Sequence, residues 1–164
     1  MENFSDSTLL IVDDEAFLRD VLAARLKNFG AKILTAENGQ VALDILKAHP
    51  VDAVLTDIDM PVMNGLELLA HMREMGLVTP VVILTGVGDQ TNTLTALRLG
   101  ATDLLDKPFD SKVILEVMTK ALKIGIAARS LGQDVSPDQL RKWKTAMAPG
   151  LSLVQDAKSP TRKK

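Results

Sequence analysis

The sequence contains no cysteine, which excludes a disulfide framework and accords with a reducing, cytoplasmic compartment. No apolar run approaches the roughly 18 residues needed to cross a bilayer. The longest stretches, such as Val81-Val82-Ile83-Leu84, are short, so no membrane span is expected. The N-terminus, Met1-Glu2-Asn3-Phe4-Ser5-Asp6, is acidic and lacks the basic start and small-residue cleavage site of a signal peptide. Tyrosine is missing and aromatic residues make up only 3%, so no position can present a phenol. What remains is an ordinary globular composition. Of 164 residues, 46% are apolar, enough for one domain with a real core and room for an extension.

The net charge of −2 hides an asymmetry. Residues 1–128 hold 11 Lys and Arg against 18 Asp and Glu, whereas 129–164 hold 8 against 3. An acidic body suits metal binding better than nucleic-acid binding, and the basic tail is too short for a DNA-binding module. Apolar, β-branched runs alternate with segments of helical period. Strands are expected at 8–12, 31–36, 53–56, 81–84 and 102–105. Helices are expected at 15–29, 40–49, 65–75, 90–99 and 111–128. In the first helix Phe17, Leu18, Val21, Leu22 and Leu26 are expected on one face, with Gly30 as the stop. Five such units imply a doubly wound α/β fold whose parallel sheet is covered on both faces.

Chemistry on such sheets sits beyond the carboxyl ends of the strands. Those ends carry Asp13-Asp14, Asp57, Thr85 and Lys107. Any one strand-end Asp is ordinarily a helix cap or a solvated turn residue; the set together is not so easily explained. Several carboxylates in one pocket repel one another, and a hard dication bound through oxygen relieves this. A carboxylate nucleophile, a metal, a fixed cation and a hydroxyl are the parts for phosphoryl transfer to Asp57.

These residues carry a resemblance. Asp13-Asp14-Glu15, then Asp57-Ile58-Asp59-Met60-Pro61-Val62-Met63-Asn64-Gly65, Leu84-Thr85-Gly86, Gly100-Ala101-Thr102-Asp103 and Lys107-Pro108-Phe109 are similar to the response-regulator receiver family, over about residues 7–125. The resemblance implies a flavodoxin-like sheet of five parallel strands with five crossover helices, and a two-component switch of the chemotaxis-regulator kind. It implies phosphorylation of Asp57 by a histidine kinase or phosphotransfer protein. It also implies Mg²⁺ (or Mn²⁺) held directly by Asp14, mainly through water by Asp13, by the Asp57 carboxylate and by the Asp59 backbone carbonyl. Thr85 and Lys107 would grip the phosphoryl oxygens, and the peptide before Pro108 would be cis. A downstream protein would be read through the face built by residues 85–128.

One position departs from the family. Three residues before Lys107, where receivers often carry the Tyr or Phe of the switch pair, stands Leu104; Thr85, the hydroxyl half of that pair, is intact. The Asp59 side chain is expected to be a solvated turn group, with influence on acyl-phosphate lifetime as the sharper reading. Gly86-Val87-Gly88 lacks the third glycine of a dinucleotide fingerprint and reads as a loop. His49 and His71 read as surface residues, Met60 and Met63 as packing.

Residues 126–164 form an extension or linker in this reading. Ser136-Pro137-Asp138 is a helix start, placing Leu140, Trp143 and Met147 on one face of a short helix at 136–147. That helix is expected to pack on its own domain or to serve a partner or dimer, with a membrane-surface helix least favoured at this length. Residues 157–164 have a disordered, basic composition. Small and apolar positions late in the last helix (Ala121, Gly125, Ala127, Ala128) make a homodimer an option. Two rival functions are weighed. A haloacid-dehalogenase-like phosphatase also uses an Asp-x-Asp pair, as in Asp57-Ile58-Asp59, but places its acidic pair last and needs a cap domain. A phosphate-independent scaffold or binding module would be expected to have lost a site residue, and none is lost. No enzymatic turnover is expected beyond taking phosphate from a donor and slow autodephosphorylation.

Overall fold

The protein is described here by a computed structural model covering residues 3–86 and 88–131. The helix expected at 136–147 and the basic end lie outside the described residues. Strands β1 (Thr8–Val12), β2 (Lys32–Ala36), β3 (Ala53–Asp57), β4 (Val81–Thr85) and β5 (Asp103–Asp106) alternate with helices α1 (Ala16–Leu26), α2 (Gly39–Ala48), α3 (Gly65–Glu74), α4 (Gln90–Arg98) and α5 (Ser111–Ser130). The strands form one parallel sheet in the order β2-β1-β3-β4-β5. This is the expected flavodoxin-like, doubly wound arrangement.

Alternation along the central strands explains the two layers, because successive side chains leave a strand on opposite faces. Leu10, Val12, Val54, Val81 and Ile83 pack with Ala42, Leu43, Leu46, Leu68, Leu69, Met72 and Ala96 of α2, α3 and α4. Leu9, Ile11, Leu55, Val82 and Leu84 pack on the other side with Leu22, Leu26, Ile114, Met118 and Leu122 of α1 and α5. Apolar on both faces, these strands can only be interior ones.

Four of the five described helices, all but α1, have their starts fixed by polar side chains in the loop after a strand. Asn38, Asp89 and Asp110 accept the backbone N–H of Val41, Asn92 and Lys112, and Asn64 and Glu67 form a reciprocal capping box on α3. At the opposite end of α1 a single 3₁₀ turn, Lys27–Phe29, leads to Gly30 at φ 76.

Three sequence expectations need correction. Phe17 does not join the buried stripe of α1 and is 80% exposed. At 3.6 residues per turn it lies about 140° around the helix from Leu22, whereas Leu18, Leu22 and Leu26 recur at four-residue spacing and share the inner face. The last strand begins at Asp103 and ends at Asp106, one residue later than expected, because Thr102 is engaged beforehand: its N–H donates to the Val81 carbonyl at 2.7 Å and its Oγ1 accepts the Val81 N–H at 3.1 Å. Of the small residues late in α5, Ala121, Gly125 and Ala128 are buried in the chain's own packing and so are not free to meet a second copy, while Ala127 is only partly covered. Helix α5 also runs unbroken past residue 125 to Ser130. His49 and His71 are exposed, and Met63 is buried while Met60 packs against the same core layer.

Candidate functional site

The carboxyl edge of β1, β3, β4 and β5 brings together side chains from four separate stretches of sequence. Asp57, Thr85 and Asp106 are each the last residue of a strand, and Asp13 and Lys107 each follow one directly. One carboxylate oxygen from each of Asp13, Asp14 and Asp57 lies within 4.8 Å of the others. Lys107 Nζ stands 3.0 Å from Asp57 Oδ2. Asp57 is buried and its other oxygen, Oδ1, accepts the Ile58 N–H at 2.8 Å. The backbone behind Asp57 is fixed as well. Thr56 Oγ1 donates to the Asp57 carbonyl at 2.8 Å, and a Cβ at Gly65 would collide with that same carbonyl, so only glycine lets α3 begin there.

Asp13 is fully buried, and its Oδ1 accepts the Glu15 N–H at 2.9 Å. Its Oδ2 has no hydrogen-bond partner among the described residues. Burial pushes the Asp13 carboxyl up from its ordinary value; the Glu15 N–H and the Lys107 charge oppose this, while the Asp57 and Asp14 charges add to it. A buried carboxylate oxygen left unpartnered beside two more carboxylates is a poor arrangement for a bare protein. It is a fitting one for a hard cation with oxygen ligands. The donor set, oxygen only, excludes a site built for thiolate- or imidazole-seeking metals.

Each sequence-derived site residue can now be placed. Asp13, Asp14, Asp57 and Lys107 converge. Thr85 is buried at the same edge, but its hydroxyl faces β5 and donates to Asp106 Oδ1 at 2.9 Å. Asp59 is exposed two residues past β3. Leu104 is partly buried against the α2–α4 layer, and the Lys107–Pro108 peptide is cis. Sequence reasoning overlooked Asp106 and Arg19. Arg19 Nη1 donates to the Asp13 carbonyl at 2.6 Å. A four-residue helical offset from Glu15 could have suggested Arg19, but Asp106 emerges only from the pairing of Thr85 with Asp106 between β4 and β5.

Comparison with known proteins agrees with this geometry. The response regulator receiver domain family matches residues 9–119. A probable transcriptional regulator, ycf27, of Guillardia theta is 39% identical over 104 residues, 63% of this chain and 41% of that protein. A protein-glutamate methylesterase/protein-glutamine glutaminase of Treponema pallidum is 38% identical over 118 residues, 68% of this chain but 29% of its own length. The crystal structure of FixJ-N superposes with a TM-score of 0.67 at 32% identity, covering 72% of this chain and 94% of that one. The chain thus spans less than half the length of these two curated relatives, and what they share with it is the receiver part. By its motifs, its sheet and its strand-end site, this chain belongs to the response regulator receiver domain family of two-component signalling.

Proposed function

We propose that the chain is a phosphorylation-dependent switch that takes a phosphoryl group on Asp57 and thereby changes what it binds. The observation that carries the reading is the pairing of the Lys107 ammonium with a buried strand-end carboxylate that two further carboxylates approach. In this reading an Asp57 carboxylate oxygen attacks phosphorus, a P–O bond to Asp57 forms, and the donor's bond to phosphorus breaks. The donor is a phosphohistidine of a kinase or phosphotransfer protein, or a small acyl phosphate. Hydrolysis reverses the state: water attacks phosphorus, inorganic phosphate leaves and the carboxylate returns.

Asp13, Asp14, Asp57 and the Asp59 carbonyl would hold Mg²⁺ or Mn²⁺. Bound there, the ion would neutralise charge on the oxygens of the transferred group. Lys107 gives up its contact with Asp57 Oδ2 to hold a phosphoryl oxygen, and Thr85 supplies a hydroxyl to another. Leu104 takes the place of the usual aromatic ring in the change that follows. The output face is built by residues 85–128, where Leu94 of α4 and Val113 of α5 stand 48% and 42% exposed; a downstream protein or a second copy would read it there. The switch module is taken as residues 7–125, with 126–164 as an extension or linker. No helix of the described residues is long and apolar enough to cross a membrane; the compartment proposed for the switch is the cytoplasm.

The test is to incubate the protein with acetyl phosphate, with and without Mg²⁺, and read intact mass beside Asp57→Asn. One phosphoryl adduct that needs Mg²⁺ and vanishes in the variant is expected. A folded, metal-binding protein that takes phosphate neither from acetyl phosphate nor from a phosphorylated histidine domain would sink the reading and leave a phosphate-independent binding module.

A further inference from the structure

Thr85 is 1% exposed, and its single hydroxyl proton is committed to Asp106. A hydroxyl donates once, so the bond to Asp106 and a bond donated to a phosphoryl oxygen exclude each other. The acceptor is a carboxylate, which makes this bond stronger than one between neutral groups. It is also separable from the fold. Lys107 N–H donates to the Thr85 carbonyl at 2.8 Å, so the backbone pairing of β4 with β5 persists whichever staggered well the Thr85 side chain occupies. Asp106 itself lies exposed at the strand end.

We infer that Asp106 is a positioning residue that latches Thr85 away from the acceptor in the resting state and so sets how readily the switch turns on. The inference rests on the phosphorylation reading above. An apparent affinity falls in proportion to the fraction of protein already in the competent arrangement. Removing the latch therefore tightens binding of a phosphoryl group or its mimic without touching any group that holds it. The carboxylate could also act simply as a negative charge near an anionic ligand; being exposed, that effect is screened and small.

The experiment titrates the Mg²⁺-loaded full chain with beryllofluoride, a phosphoryl mimic, by NMR. Wild type, Asp106→Ala and Asp106→Asn are compared, each also in a Thr85→Ala background. Asp106→Ala is expected to tighten half-saturation by roughly tenfold. Asp106→Asn, which keeps an acceptor oxygen, should recover much of the wild-type value. In the Thr85→Ala background the gain from Asp106→Ala should fall below about twofold. Equal tightening in both backgrounds would overturn the latch and leave charge alone. A second readout needs no phosphate: three-bond couplings to the Thr85 methyl carbon report its rotamer, single in wild type and averaged in Asp106→Ala. If wild type fails to take the mimic at all, the switch reading falls, and these couplings still decide the latch. An unchanged Thr85 rotamer in Asp106→Ala would end it.

Discussion

Asp13 is held where solvent does not reach it, with Oδ2 unpartnered and two more carboxylates nearby. Its raised folded-state value fixes the sign of the pH dependence. Whatever stability the group contributes is fully present below its ordinary value of 3.8 and is lost as pH climbs through the raised one. Asp13→Asn keeps an acceptor for the Glu15 N–H and drops the charge. In metal-free buffer at neutral pH the variant should be more stable than wild type by about 1–3 kcal/mol, and the gap should close as pH falls toward 4. Added Mg²⁺ should raise the wild-type unfolding midpoint and raise the variant's by less. Urea titrations across pH, with and without Mg²⁺, check both halves; an Asn variant weaker than wild type throughout would mean the carboxylate is structurally satisfied. A second residue is strained in its backbone alone. Val62 sits at φ 70, 80% exposed, with the Met63 N–H closing a tight turn onto the Pro61 carbonyl at 2.8 Å. A β-branched residue gains nothing there to offset that conformation. Val62→Asn is expected to stabilise the protein by roughly 1 kcal/mol, read as a shifted urea midpoint at unchanged slope. Neither the strain nor the orphaned oxygen could be read from residue types; both are consequences of where the chain has been folded.

Among the elements, central strands were the most legible in the sequence, because runs such as Val81-Val82-Ile83-Leu84 are apolar on both faces and admit only a covered sheet. The placement of Asp57, Thr85 and Lys107 at one sheet edge was legible for the same reason: each stands at or just past a strand's end. The edge elements were less so. The start of α1 looked apolar through Phe17, although the helix seats its inner stripe only from Leu18 onward. The last strand slipped by one residue because Thr102 pairs with Val81, which no local pattern reports. Nor does local pattern reveal how α3 and α4 are tied. Arg73, near the end of α3, donates from Nη1 to the Leu77 and Thr79 carbonyls at 2.7 and 3.1 Å and from Nη2 to the Gly100 carbonyl at 3.1 Å. The residue is only partly covered overall, but its guanidinium lies inward, and burial pulls its pKa down to about 10, so it stays charged at neutral pH. Three carbonyls held by one fork make Arg73 the joint between the two helices flanking β4. Arg73→Met should cost about 2–4 kcal/mol, and Arg73→Lys should restore little, lacking the planar donors. Hydrogen exchange should quicken around residues 77–81 and 99–102 in both variants. Uniform quickening across the whole sheet would instead assign Arg73 a merely global role.

At the scale of the molecule, the sheet has a chemical edge and a structural one. At the end of β3 opposite Asp57, Asp52 is buried beneath α5, where its Oδ2 accepts the Thr8 N–H at 2.8 Å and faces Arg129 Nη1 at 3.4 Å. The end of α5 and the residues leading into β1 thus meet on one carboxylate, and Arg129 Nη2 adds a second tie to the Asp6 carbonyl at 3.1 Å. Gly125 brings the helix so close that an added Cβ would strike the Asp52 carbonyl. The three contacts differ in kind, and their losses should rank accordingly. Gly125→Ala sets side chain against backbone, which must move, at about 2–4 kcal/mol. Asp52→Ala strands a covered N–H, at about 1–3 kcal/mol. Arg129→Ala removes a half-exposed cation at 3.4 Å from the buried Asp52 carboxylate, which keeps the Thr8 N–H, at about 1 kcal/mol or less. Urea midpoints should fall in that order, while the phosphoryl uptake proposed for Asp57, measured per folded molecule, should hold, since none of these groups reaches the opposite edge. Should Gly125→Ala instead impair uptake at full folding, the seating of α5 against β3 would be coupled to the acceptor at that strand's far end, and the two edges would act as one device.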